Sequence, residues 1–303
     1  MKIGVVGTFI RDRIFPWQGE EVASIGGIFF TVSYLANLMQ PDDEVYPVCF
    51  LGSDFYEEVV GRLAAYPNVR FDGLKKVAHR NTQVKLIYTG PQEREEVTTA
   101  PMPPLGEEEL EVLDGVDAIV VNLITGSDVA LPALNRLREK TPALLYLDFH
   151  SHALGISAEG KRFYRRPTDW QEWVRLVDVL QLNEMEARTL AGLGLDASVE
   201  RLAGFGKSLL GMGPKICHIT LAERGSMLFY RHSDDVQVHR FPAHEVARVV
   251  DIIGCGDAFA SAFVVSYLKD RDEIAATELA NKVAALNCTF LGSSGIPEIK
   301  SRL

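Results

Sequence analysis

Apolar strand-like segments alternate with amphipathic helix-like segments through most of this chain. The alternation is clearest after residue 117, where "AIVVNL", "ALLYLDF" and "DVLQLN" are each followed by a helical stretch. Strands that are separated by helices do not pair as hairpins, so this order predicts a doubly wound, mostly parallel sheet. We therefore expect an α/β protein whose sheet is flanked by helices on both faces.

Two segments depart from this alternation. The stretch "NTQVKLIYTG" places Val84, Leu86 and Tyr88 on one side, which is typical of a half-exposed antiparallel strand. The earlier segment "RDRIFPWQGEEVAS" also departs from the alternation, because Pro16 and Gly19 interrupt it. We expect a small antiparallel β lid at 11–25 and 79–100, inserted in a main domain at 1–10, 26–78 and 101–303.

Further β segments are predicted at both ends of the main domain. "KIGVVGTFI" has the composition of a first buried strand, and "GSMLFYR", "VQVHRFP" and "EVARVV" predict β structure before two C-terminal helices. The last of these segments ends at Asp251. Active sites of doubly wound sheets lie at the carboxyl ends of strands, which is where this reading places the residues that follow.

A glycine turn follows Asp251 in "DIIGCGDAFASAF" and leads into a helix that starts near Asp257. The first amides of a helix lack internal partners and together carry roughly half a positive charge. Glycines in the turn allow a ligand to approach the backbone closely. The segment Gly254, Cys255 and Gly256 therefore predicts an anion hole with an acid at its edge.

The acid at this position suggests a reaction. Asp257 would repel a resting phosphate, but it suits a hydroxyl that lies between the carboxylate and a phosphoryl group. Asp257 would accept the hydroxyl proton while the loop amides stabilise the transferred group. The alternative is that Asp257 is only an N-terminal helix cap. At the same helix start, Cys255 is expected to have a lowered pKa.

Two other segments that follow predicted strands carry polar residues. "LNEME" places Asn183 and Glu186 three residues apart, a spacing that suits water molecules held around Mg²⁺. "ITLAERGS" places Thr220 and Gly225 in the turn after another strand. Each signal is weak alone, because helix starts are rich in Asn and Glu.

Composition excludes several other functions. The chain has 31 Lys and Arg against 41 Asp and Glu, a net charge of -10, and no basic block, which argues against nucleic acid as a partner. No apolar run reaches about 18 residues, and the N-terminal run soon meets charged residues, so we expect neither a membrane span nor a signal peptide. Four separated cysteines fit free thiols in the cytoplasm.

Taken in this order, the segments resemble the ribokinase-like, PfkB-type carbohydrate kinase family over nearly the whole chain. "DIIGCGD" is similar to the family signature Asp-Thr-x-Gly-x-Gly-Asp, and "NEME" matches its Asn-x-x-Glu motif. "TLAERG" resembles the family's Thr-x-Gly-x-x-Gly nucleotide turn. The resemblance implies a Mg²⁺- and ATP-dependent kinase that phosphorylates a hydroxyl of a sugar or sugar-like small molecule.

The resemblance also implies roles for individual residues. Asp257 would be the catalytic base beside the anion hole, and Glu186 would hold Mg²⁺ through water. The acceptor would contact Asp12, Gly26, Gly27 and Thr31, and the nucleotide would contact Asn183, Thr220, Gly225 and Asn287. K⁺ activation near Asp251 and a homodimer formed through the lid are left open.

Departures from the family pattern leave the substrate open. Thr31 stands where the family has a sugar-contacting Asn, Ile252 replaces the signature Thr, and Ala222 replaces a Gly of the nucleotide turn. Phe29 and Phe30 suit either the core or contact with a flat substrate such as a nucleoside base. A nucleoside kinase of the same fold and a non-catalytic nucleotide or sugar sensor are the alternatives.

Overall fold

The computed structural model describes residues 1–17, 19–88, 94–233 and 235–303. Its strands, in chain order, are β1 (Lys2–Val6), β2 (Phe9–Phe15), β3 (Val22–Gly27), β4 (Glu44–Gly52), β5 (Leu74–Val77), β6 (Gln83–Tyr88), β7 (Arg94–Thr99), β8 (Ala118–Asn122), β9 (Leu144–Asp148), β10 (Leu154–Ile156), β11 (Arg162–Tyr164), β12 (Val179–Asn183), β13 (Ile216–Thr220), β14 (Ser226–His232) and β15 (Asp235–Phe241). Its helices are α1 (Phe29–Leu38), α2 (Tyr56–Leu63), α3 (Glu107–Leu110), α4 (Leu131–Lys140), α5 (Trp170–Arg175), α6 (Glu184–Ala191), α7 (Val199–Leu209), α8 (Cys255–Asp270) and α9 (Glu273–Asn287).

Nine strands form the main sheet, in the order β15-β14-β13-β12-β9-β8-β1-β4-β5. Strands from β13 to β5 run parallel, whereas β14 and β15 add an antiparallel hairpin at one edge. From β1 the chain first extends the sheet on one side, with β4 and β5, and then on the other side, with β8 and β9. The direction of strand addition therefore reverses at β1. The expected doubly wound, mostly parallel α/β architecture is confirmed.

The central strands are apolar throughout because helices cover both faces of the sheet. All five residues of β8 are buried, as expected of a parallel strand enclosed on two sides. One core cluster contains apolar residues of α1, α8 and α9, and the other contains those of α4, α5 and α7. Within the described ranges, no helix combines the length and the apolar character needed to cross a bilayer.

A smaller sheet has the order β3-β2-β6-β7. Its outer pairs are antiparallel, while its central strands β2 and β6 run parallel, with Arg11 opposite Gln83. The hairpin β10-β11 approaches the free edge of β7 through a bridge between Val97 and Lys161. Residues 89–93, which belong to the second expected lid segment, lie outside the described residues.

Two strand predictions need correction. "KIGVVGTFI" is not one strand: β1 ends at Val6, and β2 starts at Phe9 in the smaller sheet. "EVARVV" is not a strand, and Val249 and Val250 are 59% and 47% exposed. The edge next to β14 is already occupied by β15, so Val250 N donates to the backbone of Cys288 (2.7 Å) instead.

Candidate active site

The site lies where adjacent parallel strands end. Asn122, Asp148 and Asn183 are the last residues of β8, β9 and β12, which are neighbours in the sheet. All three line a cavity of about 370 Å³ that also contacts the glycine turn at residues 252–257. The carboxyl edge of the sheet thus carries polar side chains around one space, as expected for this architecture.

The glycine turn takes a conformation that few residues other than glycine adopt. Gly254 is the residue that caps α8, with φ of 80°, and a Cβ there would lie 2.5 Å from Phe30 Cδ1. Behind the turn, Gln181 Nε2 donates to the Gly256 carbonyl (3.2 Å), and the Tyr146 hydroxyl donates to Gln181 (2.5 Å). These contacts hold the start of α8, with its partial positive charge, against the cavity.

Asp257 faces this cavity from the first turn of α8. Its Oδ1 accepts hydrogen bonds from the Thr31 hydroxyl and from Asn122 Nδ2, the latter at 2.9 Å. Because Gly254 occupies the cap position and no side chain caps this helix, the reading of Asp257 as a helix cap is wrong. Burial raises the pKa of Asp257 to about 6, and the two hydrogen bonds oppose that rise.

Two further carboxyl groups line the same cavity. Burial, and then the charge of Asp257, raise the pKa of Asp148 to about 8. Burial, and then the charge of Asp148, raise the pKa of Glu186 well above its ordinary value. Acids that disfavour one another's ionisation favour a bound cation, so the residues present fit a divalent metal ion.

The Asn183 and Glu186 pair starts α6 as a reciprocal cap. Glu186 N donates to Asn183 Oδ1 (2.9 Å), and Asn183 N donates to Glu186 Oε2 (2.8 Å). Both residues line the cavity together with Thr220. No group of three or more His, Cys, Asp or Glu suited to a metal ion occurs in the described part of the chain. A Mg²⁺ ion would therefore keep most of its water ligands.

On the side of the smaller sheet, Asp12 and Gly27 line the cavity. Asp12 is 9% exposed, and a Cβ at Gly26 would lie 1.9 Å from its Oδ2. A Cβ at Gly27, where φ is 64°, would lie 2.0 Å from the Thr8 carbonyl. Gly26 thus allows β3 to pass close to the Asp12 carboxylate, and Gly27 allows it to pass close to the Thr8 carbonyl.

Two of the residues predicted to contact ligands, Thr31 and Asn287, make hydrogen bonds within the protein. Thr31 is fully buried and its hydroxyl donates a hydrogen bond to Asp257, so it supports the acid. Asn287 is also fully buried, and its Nδ2 donates to the Ile253 carbonyl (2.8 Å). The Tyr34 hydroxyl donates to Asn287 Oδ1 (2.5 Å). Asn287 therefore holds the glycine turn from behind.

The expected low pKa of Cys255 is also wrong. Its sulfur lies 3.2 Å from the sulfur of Cys288, and this hydrogen bond together with burial raises the pKa of Cys255. Both carboxylate oxygens of the neighbouring Asp251 accept hydrogen bonds from backbone amides. The donors are Ile253 N (3.0 Å) and Gly292 N (2.9 Å). Gly225, with φ of 86°, is buried in the turn that follows Thr220.

Sequence reasoning missed Asn122, Asp148 and Gln181. The signal for the first two was available, because "AIVVN" and "LLYLD" are apolar runs that each end in one polar residue. Gln181 is a polar residue in the middle of the strand "VLQLN", and it is 3% exposed. A polar residue at or near the carboxyl end of a buried parallel strand is thus a usable indicator of this kind of site.

A doubly wound sheet with a glycine turn that leads into a helix start, and with a carboxylate beside it, is an arrangement that suits phosphoryl transfer. Comparison with known sequences agrees, since the profile of the pfkB family carbohydrate kinases matches residues 31–299. The chain belongs to this family, which confirms the resemblance found in its motifs. It is a phosphotransferase that uses a hydroxyl group as acceptor.

Individual relatives are more distant. A cytidine kinase of Thermococcus kodakarensis is 26% identical over 271 residues, which cover 86% of each chain. The Arabidopsis thaliana ribokinase solved with ribose and ATP has a TM-score of 0.78 at 18% identity, over 99% of this chain and 96% of that one. A pyrophosphate-dependent kinase solved with a pyrophosphate analog and myo-inositol has a TM-score of 0.75 at 19% identity, over 96% of both chains.

Proposed function

We propose that this protein is an ATP-dependent kinase that transfers the γ-phosphoryl group to a hydroxyl of a sugar or sugar-like small molecule. Asp257 acts as the general base, and the turn from Gly254 to Gly256 forms the anion hole. The observation that carries this proposal is the position of the Asp257 carboxylate, which shares one cavity with the first backbone amides of α8.

The acid is suited to its role. A general base works best when its pKa is close to the operating pH, and burial brings the pKa of Asp257 to about 6. Thr31 and Asn122 bind Oδ1, which leaves Oδ2 toward the hydroxyl that attacks phosphorus. As the oxygen loses its proton, negative charge on the phosphoryl group develops against the helix start, where backbone amides stabilise it.

The acceptor binds between the two sheets. Asp12 accepts hydrogen bonds from substrate hydroxyls, and the glycines at 26 and 27 allow the acceptor to lie close to the backbone of β3. We propose that the smaller sheet, at 11–25 and 79–100, closes over the acceptor as a lid and excludes water from the phosphoryl group.

The same sheet exposes Trp17 and Val22, which makes it the candidate face for a homodimer. Light scattering with Val22→Asp tests the dimer.

The phosphoryl donor occupies the opposite end of the cavity. Asn183 and Thr220 contact the nucleotide, and Gly225 shapes the turn behind Thr220. Mg²⁺, held through water by Glu186 beside Asp148, neutralises charge on the donor phosphates when it is bound. K⁺ dependence near Asp251 is part of the proposal and is tested by replacing K⁺ with Na⁺ at constant ionic strength.

A nucleoside kinase is the second candidate. Phe29 and Phe30 are both core residues, but Phe30 also lines the cavity together with Val84 and Leu86. This apolar wall suits the flat face of a nucleoside base, and the 26% identical relative is a cytidine kinase. A hexose or inositol has less apolar surface to place there.

A substrate panel separates these candidates. Hexoses, pentoses, inositols and nucleosides are each incubated with the protein, Mg²⁺ and either ATP or pyrophosphate, and phosphorylated product is measured by mass spectrometry. Transfer from ATP to a sugar or polyol supports the main proposal, and transfer to nucleosides alone favours the second candidate. Transfer from pyrophosphate but not from ATP would show that the proposed phosphoryl donor is wrong. Nucleotide binding without any transfer would favour a non-catalytic sensor.

A further inference from the structure

Asn122 uses one of its two side-chain polar groups and leaves the other unused. Its Nδ2 donates to Asp257 Oδ1 at 2.9 Å, and a carboxylate only accepts, which fixes the orientation of the amide. Its Oδ1 is buried, on a residue that is 1% exposed, and has no hydrogen-bond partner in the ranges that the structure describes. Native proteins rarely leave a buried acceptor unpaired, so a ligand is the natural source of the missing donor.

We propose that Asn122 Oδ1 accepts a hydrogen bond from a second hydroxyl of the acceptor, while Asp257 receives the proton of the attacking hydroxyl. Both side chains line the same cavity and are bonded to each other. An acceptor that reaches Asp257 with one hydroxyl therefore meets Asn122 with another. The substrate is thus a polyhydroxylated molecule, in which a hydroxyl besides the attacked one decides specificity. This inference rests on the proposed function.

Thr31 provides a matched comparison. Like Asn122, it donates a hydrogen bond to Asp257 Oδ1, but its hydroxyl oxygen already receives Asn122 Nδ2 at 3.4 Å. Thr31 is fully buried and has no other side-chain polar atom to offer a ligand. Thr31→Val and Asn122→Leu therefore remove the same kind of support from Asp257, and only Asn122→Leu also removes an acceptor for the substrate.

The test uses the acceptor found in the panel and its analogues that each lack one hydroxyl other than the attacked one. For at least one analogue, wild-type protein should show kcat/KM lowered by roughly tenfold or more, because its buried oxygen stays unpaired. Asn122→Leu should use that analogue and the full acceptor about equally well. Thr31→Val should keep the wild-type preference, although both variants turn over more slowly.

Two outcomes overturn the inference. If Asn122→Leu discriminates among the analogues as wild-type does, Asn122 is not the group that reads the second hydroxyl. Should that variant fail to fold, Asn122→Gln, which keeps both the amide donor and an acceptor oxygen, must retain the preference, and its loss would contradict us. If no compound accepts a phosphoryl group, the proposed function fails as well, which distinguishes that result from a failure of Asn122 alone.

A second, independent feature is the pair of thiols beside the anion hole. The sulfurs of Cys255 and Cys288 are 3.2 Å apart, and both residues are half-buried, whereas Cys49 and Cys217 are buried in the core. Cys255 is the first residue of α8 and lines the cavity. The carbonyl of Cys288 also accepts from Val250 N (2.7 Å) and Asp251 N (3.3 Å), which ties it to the same turn.

We infer that Cys255 and Cys288 form a reversible disulfide under a hydroperoxide such as hydrogen peroxide. One thiolate attacks the O–O bond and becomes a sulfenic acid, and the other thiol displaces water from it, so that two thiols and one peroxide give one disulfide and two waters. To reach an S–S length of about 2.05 Å, the sulfurs must move together by about 1.2 Å. That movement displaces the Cys255 amide and slows phosphoryl transfer.

Peptide mapping and activity together test this pair. Trypsin cleaves at Lys269 and Arg271, so the two cysteines lie on different peptides unless a disulfide joins them. Peroxide-treated wild-type protein should yield the linked peptides and lose roughly 10²-fold in turnover, a cost that a misplacement of about 1 Å can carry. Dithiothreitol should restore the rate.

Each control is compared with its own reduced form. Cys288→Ala should keep its pre-treatment rate, and Cys217→Ala, which lacks a core thiol, should respond as wild-type does. Absence of the linked peptides in wild-type protein, or linked protein with an unchanged rate, would overturn the inference. The peptide map does not depend on catalysis, so a failure of the proposed function leaves this result readable.

Discussion

Asp148 and Asp257 share one cavity, and their two carboxyl groups titrate apart. Burial is the main cause for both, and it brings the pKa of Asp257 to about 6. The charge of Asp257 adds to the effect of burial on Asp148, whose pKa rises to about 8. Near neutral pH, Asp257 is therefore ionised and able to accept a proton, while Asp148 still holds one.

The rate should depend on the ionisation of Asp257. Because the base must be deprotonated to accept the hydroxyl proton, kcat/KM should rise as pH increases through about 6 and then level off. Asn122→Leu and Thr31→Val each remove a hydrogen bond that lowers this pKa, so the rise should move to higher pH in both variants. A wild-type profile that stays flat between about pH 5 and pH 7 would contradict this role.

Stability should depend on the ionisation of Asp148. The folded pKa is raised from 3.8 to about 8, so at intermediate pH the unfolded chain releases a proton that the folded protein keeps. Stability from this group is present at low pH and is lost as pH rises from about 4 to about 8. Asp148→Asn cannot ionise and so removes this loss of stability. The Tm of the variant, relative to that of wild-type protein, should therefore increase as pH rises across that range. The exposed Asp114→Asn is the control, and an equal trend there would refute the assignment.

Gly254 should tolerate no side chain. Its φ is 80°, and a Cβ would lie 2.5 Å from Phe30 Cδ1, so Gly254→Ala should lower the free energy of unfolding by about 1–3 kcal/mol and reduce turnover. Gly61, inside α2, has open space around it, so Gly61→Ala should raise the free energy of unfolding by about 0.5–1 kcal/mol. Urea denaturation measures both, and equal effects would show that the turn is not constrained.

Asn287 should act on the turn and not on the nucleotide. Asn287→Leu removes the bond to the Ile253 carbonyl and leaves the Tyr34 hydroxyl without its partner, which costs about 1–3 kcal/mol for a buried group. We expect a lower Tm and a lower kcat, with the KM for the phosphoryl donor nearly unchanged. A large rise in that KM with unchanged kcat would instead favour direct contact with the donor.

The fold was predictable because its signal is repeated along the chain. Parallel strands covered on both faces must be apolar throughout, and "AIVVN" and "LLYLD" meet that condition in sequence alone. The prediction of a strand at "EVARVV" was wrong because its β-branched residues indicate extended structure but do not show whether a neighbouring strand is available for pairing. Only the assembled sheet shows that β15 already occupies the edge where such a strand would pair.

The site was predictable where chemistry is local. Asp257 and the turn before it lie within four residues, and so do Asn183 and Glu186. Thr31 and Asn122 could not be connected to Asp257 in this way, because they are separated from it by 226 and 135 residues. The same reason explains Cys255, whose pKa depends on a sulfur 33 residues away more than on its own helix.

Replacement of Asp257 tests the account most directly. Asp257→Asn keeps the size of the side chain and an oxygen that can accept from Thr31 and Asn122, but it cannot take the hydroxyl proton. With the acceptor found in the panel, turnover should fall by about 10²–10⁴-fold, while the Kd for the phosphoryl donor measured by calorimetry stays nearly unchanged. Turnover equal to that of wild-type protein would contradict the assignment of Asp257 as the base, and with it the proposed mechanism.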